Sequence, residues 1–206
     1  MNTLFWFDTE TSGFDEKKNQ ILTLALVATD TNYTVKDILE LTVKPIPGLE
    51  ISESALKVNK LDPFSENYLK QALSEPEVLA KIEEFYNKNK TSHNKFVGHN
   101  MPFDKKFLFA MFERNHYPNF LDQVYFLDSL PFFRKLVNTG VIKTVEVEDR
   151  NKRKYWSAKL EDISKALATQ AKGQAHNALN DVYTLIESYR IANLRANQSE
   201  SFIFYT

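Results

Sequence analysis

The sequence predicts one α/β domain built on a mixed sheet. Three observations carry this. Three extended, apolar-rich stretches follow one another early in the chain with short connections, which favours antiparallel neighbours. The later chain alternates a short strand signal with amphipathic helical stretches, the pattern of strand–helix units. No internal repeat and no linker divides the 206 residues, which contain five glycines and seven prolines; that length suits one large domain over residues 1–206.

Taken in order, residues 3 to 8 read as an aromatic-rich strand, followed by a polar connection over residues 13 to 20. Ile21 to Ala28 is nearly all apolar, as expected of a strand buried on both faces. Asp30-Thr31-Asn32 makes a turn, and Thr34 to Val43 resumes extended character until Pro45 and Pro47 close it. Short helices are expected over Ser52–Val58 and Phe64–Gln71. Ser74-Glu75-Pro76-Glu77 is a capping box with proline in the first turn. Behind it Val78, Leu79, Ile82, Phe85 and Tyr86 fall on one helical face. Phe96-Val97-Gly98 is a short strand. Pro102 then opens a helix with Phe103, Phe107, Leu108, Met111 and Phe112 apolar.

Residues 123 to 138 read as partly helical, with Asp128-Ser129 as a local cap and Pro131 in the first turn. Val141 to Trp156 reads as a β-hairpin insertion with a basic tip. The simpler reading returns its Tyr155 and Trp156 to the core. The alternative has Lys152-Arg153-Lys154-Tyr155-Trp156 tracking a phosphate backbone and stacking a base. Lys159 to Ala171 is a helix stopped at Gly173, and Ala178 to Leu194 is the last helix, with Ala178, Val182, Leu185, Ile186 and Tyr189 as its stripe.

Composition bounds the function. The 43% hydrophobic content is ample for a packed core. With no cysteine, disulfides and thiolate metal sites are excluded. No basic-then-apolar leader opens the chain and no run of about 18 apolar residues crosses a membrane, so a cytoplasmic protein without membrane contact is expected. The net charge is −1. A protein that coats duplex DNA by charge alone is usually basic, so a nucleic-acid contact here would be local.

Chemistry is suggested by three segments. In Phe7-Asp8-Thr9-Glu10-Thr11-Ser12-Gly13 an apolar run ends in two carboxylates one residue apart. On a strand Asp8 and Glu10 point to one face, and two like charges aimed at one point repel unless a cation sits between them. The competing reading is a strand entering a polar turn. In Gly98-His99-Asn100-Met101-Pro102-Phe103-Asp104 the last carboxylate sits in the first turn of a helix, a position the helix dipole favours by itself. In Ala175-His176-Asn177-Ala178-Leu179-Asn180-Asp181 the aspartate lies against the buried stripe, where an unpaired charge is costly. His176 is five residues earlier, about 140° away on a helix, so it is expected on the preceding loop. A surface histidine near a helix start is the alternative.

Together these segments resemble the three exonuclease motifs of the DEDDh family. That family includes the proofreading subunit of bacterial replicative DNA polymerase, oligoribonuclease and TREX-type nucleases. The resemblance runs from about Leu4 to Tyr189. The sister subgroup has tyrosine four residues before the last aspartate; here Asn177 stands there, and His176 sits at the DEDDh spacing. The resemblance implies a ribonuclease H-like fold, with a mixed central sheet flanked by helices, and 3′→5′ removal of single nucleotides. Asp8, Glu10, Asp104 and Asp181 would hold two Mg²⁺ ions, with Mn²⁺ as substitute, as suits hard oxygen donors. His176 would be the general base. Thr9, Thr11, Ser12, Gly13, Val58, Asn59, Asn100, Phe103 and His176 would meet the terminal nucleotide, Thr11, Ser12 and Gly13 largely through backbone. Asn59 departs from the histidine common in the polymerase subunit, and Met101-Pro102 from the usual small residues.

The stretch Val43 to Leu61 looks more like the proofreading type. This implies DNA with a free 3′ end ahead of RNA, and a polymerase or other replication or repair partner. The opening strands look equally like oligoribonuclease, which keeps RNA as the alternative. A non-catalytic nucleic-acid-binding module is the rival of another class; all four acids are present, which favours the enzyme.

Overall fold

A computed structural model describes residues 2–122, 124–170 and 177–198. Its centre is a five-stranded sheet of β1 (Asn2–Thr11), β2 (Ile21–Thr29), β3 (Val35–Thr42), β4 (His93–Gly98) and β5 (Tyr125–Asp128), in the order β3-β2-β1-β4-β5. β1 is antiparallel to β2, and β2 to β3, while β1 is parallel to β4, and β4 to β5. The expected sequence of three antiparallel strands followed by strand–helix units is what forms.

β1 is central and buried on both faces, and its alternation divides the core. Phe5 and Phe7 join a cluster with Val78, Leu79, Ile82, Phe107, Leu108 and Met111. Trp6 points the other way, into a cluster with Phe133, Leu136, Ile163, Val182 and Leu185. Its indole nitrogen donates to Thr29 Oγ1 at 2.9 Å, which satisfies the one polar atom of this fully buried ring.

The helices follow from these two cores. α3 (Glu75–Asn89) and α4 (Met101–Arg114) cover the phenylalanine face. α5 (Leu130–Asn138), α6 (Leu160–Leu167) and α7 (Ala178–Gln198) cover the tryptophan face. Before them come the short α1 (Glu53–Asn59) and α2 (Glu66–Gln71). The expected capping box opens α3: Ser74 N donates to Glu77 Oε2 at 2.8 Å. Buried Glu75 pairs with Arg114 at 2.6 Å and accepts from Asn115 at 2.6 Å, which joins the start of α3 to the end of α4.

Several boundaries differ from expectation. β1 does not end at residue 8. Pairing with β2 continues through Asp8↔Ala25 and Glu10↔Thr23, and an irregularity follows between Glu10 and Thr11. Residues 125–128, expected within a partly helical stretch, form β5 because they extend the parallel ladder from Lys95↔Tyr125 to Gly98↔Asp128. The hairpin forms as β6 (Glu146–Glu148) and β7 (Lys154–Trp156), but Tyr155 and Trp156 are exposed and do not return to the core. The strands are three residues each and form a two-stranded sheet of their own. α6 stops at Leu167, where Ala168 adopts a left-handed conformation (φ 55°); Gly173 lies outside the described residues. α7 continues past Leu194 to Gln198.

Candidate active site

The alternation of β1 decides which helix delivers which carboxylate. Asp8 and Glu10 share the face of Trp6, the face that α7 covers, and α7 brings Asp181. One carboxylate oxygen from each of Asp8, Glu10 and Asp181 lies within 4.8 Å of the others. Thr9 shares the face of Phe7, which α4 covers, and α4 brings Asp104. Thr9 donates its backbone N–H at 3.0 Å and its hydroxyl at 2.6 Å to Asp104 Oδ1. Asp104 is buried, 4% exposed. The four predicted acids thus come together as a cluster of three, with the fourth fastened to the residue between Asp8 and Glu10.

The electrostatics follow from burial and like charge. Desolvation, and then the carboxylates of Asp104, Asp181 and Glu10, hold the Asp8 carboxyl well above the usual carboxylate range. Glu10 is pushed up to about 8 by burial, then by Asp181 and Asp104. Asp104 is pushed up to about 7, burial outweighing the opposing hydrogen bonds from Thr9. These groups fit a divalent cation: the donors are all hard oxygens, and like charges gathered this closely favour a cation between them.

A fifth carboxylate anchors the site. Asp128, at the end of β5, accepts at Oδ1 from Asn100 N (2.9 Å), Leu130 N (3.0 Å) and, at longer range, Met101 N (3.4 Å). It therefore caps α5, as the sequence suggested, and also holds the start of α4. Asn100 sits there with φ 64°, a left-handed position that asparagine tolerates. His99 is a structural residue: Nε2 lies 2.9 Å from Ala158 O and Nδ1 3.0 Å from Ser129 Oγ. Burial holds its pKa down.

Several residues expected to meet the nucleotide are occupied within the protein. Thr9 is committed to Asp104. Thr11 is buried and donates to Gly13 O at 2.7 Å. Ser12 is buried, donates to Glu50 O at 2.7 Å and accepts from Gln20 N at 3.0 Å. Asn59 is buried; its amide donates to Thr11 O at 3.3 Å and its carbonyl accepts from Leu61 N at 3.1 Å. Gly13 has a packing reason, because a Cβ there would meet the Asn19 side chain at 2.4 Å. These side chains brace the motif from beneath. Val58 and Asn100 are exposed, and Phe103 is half-buried.

Sequence reasoning missed Phe14. It is 75% exposed and makes an edge contact with Phe103, ring centroids 6.3 Å apart. Lys106 secures this pair: Nζ donates to Phe14 O at 2.7 Å, pairs with Glu16 at 3.0 Å and lies 5.1 Å from the Phe103 ring centroid. The available signal was an aromatic residue in a polar segment directly after the motif glycine. His176 lies outside the described residues. Its neighbour Asn177 caps α7, accepting from Asn180 N at 3.1 Å.

The chain is similar to known proteins in sequence and in structure. The chain is 34% identical over 119 residues to ribonuclease T of Wigglesworthia glossinidia brevipalpis, an alignment covering 52% of this chain and 53% of that protein. It is 32% identical over 115 residues to ribonuclease T of Hahella chejuensis, covering 52% of each. The chain thus spans about half the length of the curated relatives it matches. In structure it is similar to Exonuclease I of E. coli in complex with a dT13 oligonucleotide, with a TM-score of 0.80 at 20% identity over 99% of this chain and 44% of that one. Exonuclease I of Methylocaldum szegediense gives 0.78 at 22% identity, over 99% and 42%. These likenesses show the ribonuclease H-like fold. The relatives are ribonuclease T and Exonuclease I, so the narrower likeness to a polymerase proofreading subunit is not the one these comparisons support. The exonuclease family model of the ribonuclease T type matches residues 5–189, and the chain belongs to that family.

Proposed function

We propose that this chain is a 3′→5′ exonuclease that hydrolyses single nucleotides from the 3′ end of single-stranded or frayed DNA. The observation that carries this is the meeting of Asp8, Glu10 and Asp181 from β1 and α7, with Asp104 fastened to Thr9. Asp8, Glu10, Asp104 and Asp181 would hold two Mg²⁺ ions, with Mn²⁺ able to replace them. When bound, the ions supply charge neutralisation at the phosphate and a more acidic water.

The protein's own groups do the rest. His176 stands in sequence just before the cap of α7, and histidine is the side chain best suited to take a proton from water at neutral pH. The water oxygen bonds to phosphorus as its proton passes to His176, the bond from phosphorus to the 3′ oxygen of the preceding nucleotide breaks, and that oxygen takes a proton from solvent water. A nucleoside 5′-monophosphate leaves, and the shortened strand ends in a 3′ hydroxyl. Phe14 and Phe103 offer an apolar edge for the terminal base, with Val58 exposed on the segment that the family resemblance places beside it. RNA is the second reading, favoured by the sequence relatives being ribonuclease T.

The test uses matched single-stranded DNA and RNA, labelled at the 5′ end, with Mg²⁺ or with EDTA. Stepwise shortening from the 3′ end in Mg²⁺ alone is expected, faster on DNA. Faster loss of RNA would move the assignment to the second reading, and no shortening of either would leave a binding module. His176→Ala should lose roughly 10²–10⁴-fold in kcat while still binding Mg²⁺; parental activity would remove the histidine from the mechanism.

A further inference from the structure

The β6–β7 hairpin is not used by the chemistry above, and its surface is unusual. Tyr155 is 50% exposed, Trp156 48% and Val145 53%. Large exposed apolar groups are informative on a soluble surface, and strand alternation puts Tyr155 beside Val147 on one face of the hairpin and Trp156 beside Glu146 on the other. Around them the charge departs from the rest of the chain. Residues 143–159 carry six lysines and arginines against three acids, in a protein whose net charge is −1.

The tip is rigidly built. Asp149 Oδ1 accepts from Asn151 N at 2.8 Å and Arg153 N at 2.9 Å, and Oδ2 pairs with Arg153 Nε at 2.8 Å. Lys154 pairs with Glu146 at 3.0 Å. Two of the three local acids are thereby occupied. No ion pair is formed by Arg150 or Lys152 among the described residues. The base of the hairpin is fixed to the active-site end of the sheet. Ser157 N donates to Val145 O at 2.9 Å, and Ala158 O lies 2.9 Å from Nε2 of His99. His99 immediately precedes Asn100, the cap of the helix that carries Asp104. Trp156 is two residues from Ala158, about 7 Å of extended chain.

We propose that this hairpin is a second contact for the substrate strand: it stacks unpaired bases on Tyr155 and Trp156 and meets the backbone phosphates with Arg150 and Lys152, upstream of the terminal nucleotide. The proposal rests on the reading of the chain as an exonuclease. Interleaved cations and exposed aromatics match a single strand, whose every base offers a face for stacking. Tyrosine, tryptophan and arginine are also common where proteins meet, but lysine is depleted there, and four of the six cations in residues 143–159 are lysines.

Two variants test this, Tyr155→Ala/Trp156→Ala and Arg150→Gln/Lys152→Gln, each checked for an unchanged melting temperature. The substrates are the p-nitrophenyl ester of thymidine 5′-monophosphate, too small to reach the hairpin, and a long single-stranded oligonucleotide. Hydrolysis of the ester should be unchanged. For the oligonucleotide, KM should rise roughly ten-fold in the aromatic variant with kcat unchanged. In the charge variant the dependence of log KM on log salt should flatten by about 0.7 for each cation removed. An unchanged KM in both variants, or a change confined to oligomeric state by light scattering, would overturn the proposal.

If the parent hydrolyses neither substrate, the exonuclease reading fails, and the hairpin is judged by binding in EDTA. Trp6 is fully buried, so quenching of tryptophan fluorescence by the oligonucleotide reports Trp156. Quenching that disappears in Trp156→Ala keeps the hairpin contact, and no quenching in the parent removes it.

Discussion

Thr9 gives both its backbone N–H and its hydroxyl to one oxygen of Asp104, at 3.0 and 2.6 Å. The residue between two cluster carboxylates therefore orients a third carboxylate on the opposite face of the same strand. Thr9→Val keeps the shape and the N–H but removes the hydroxyl. We expect Mg²⁺-dependent activity to fall about 10–100-fold, the usual cost of losing a group that orients a metal ligand, with Thr9→Ser close to the parent. A Mg²⁺ titration of activity checks this; a valine variant with the parental half-saturation and rate would show the hydroxyl to be dispensable.

Asp128 joins two helix starts, accepting from Asn100 N and Leu130 N at 2.9 and 3.0 Å. Asp128→Ala leaves these N–H groups without their charged acceptor. The expected cost is about 2–3 kcal/mol, a fall in melting temperature of roughly 5–10 °C for a chain of this size. Asp128→Asn retains an acceptor oxygen and should lose less. Equal losses in the two variants, measured by thermal denaturation, would mean that the hydrogen bonds are not what Asp128 contributes.

Much of this architecture was legible in residue order because local and global signals agreed. The apolar run Ile21–Ala28 and the Ser74–Glu77 capping box each specify one structure by themselves. The shared face of Asp8 and Glu10 followed from strand alternation. The same alternation also sends Thr9 toward Asp104, but that consequence needs to know which helix lies on which face. Ser12 and Asn59 were legible as motif positions and not as braces, because their partners Glu50 and Thr11 lie 38 and 48 residues away and only tertiary packing brings them near. β5 was hidden because four residues at a sheet edge carry too little pattern to separate from the helix that follows. Of the two readings of Tyr155 and Trp156, return to the core is not realised: on a three-residue strand of a two-stranded sheet each stays about half exposed.

Stability without metal should depend on pH in a defined direction. Asp8, Glu10 and Asp104 have raised carboxyl pKa values in the folded protein, Glu10 near 8 and Asp104 near 7. Unfolded, these groups titrate near 4. Between about pH 4 and pH 8 the folded state holds more protons than the unfolded state, so stability is fullest below the unfolded values and falls as pH rises through the folded ones. In EDTA the melting temperature should drop by several degrees from pH 5.5 to 8.5, a window set by these shifts. Mg²⁺ should flatten or reverse the slope, since it binds the ionised cluster. A rising melting temperature in EDTA over that range would contradict the assigned burial and repulsion.

Asp181→Asn separates the cost of the cluster from its use. Asp181 is among the charges that raise both Asp8 and Glu10, and asparagine keeps its size while removing the charge. In EDTA the variant should melt higher than the parent, by about 2–4 °C if the relief is near 1 kcal/mol. Mg²⁺ should then reorder the pair: the parent gains stability as its cluster is neutralised, while the variant, with a ligand charge missing, gains less. The two denaturation curves, with and without the ion, form one test. A variant that melts lower than the parent in EDTA would mean that Asp181 contributes more through its other interactions than it costs by repulsion. A variant with the full Mg²⁺ response would mean that the ion is held elsewhere.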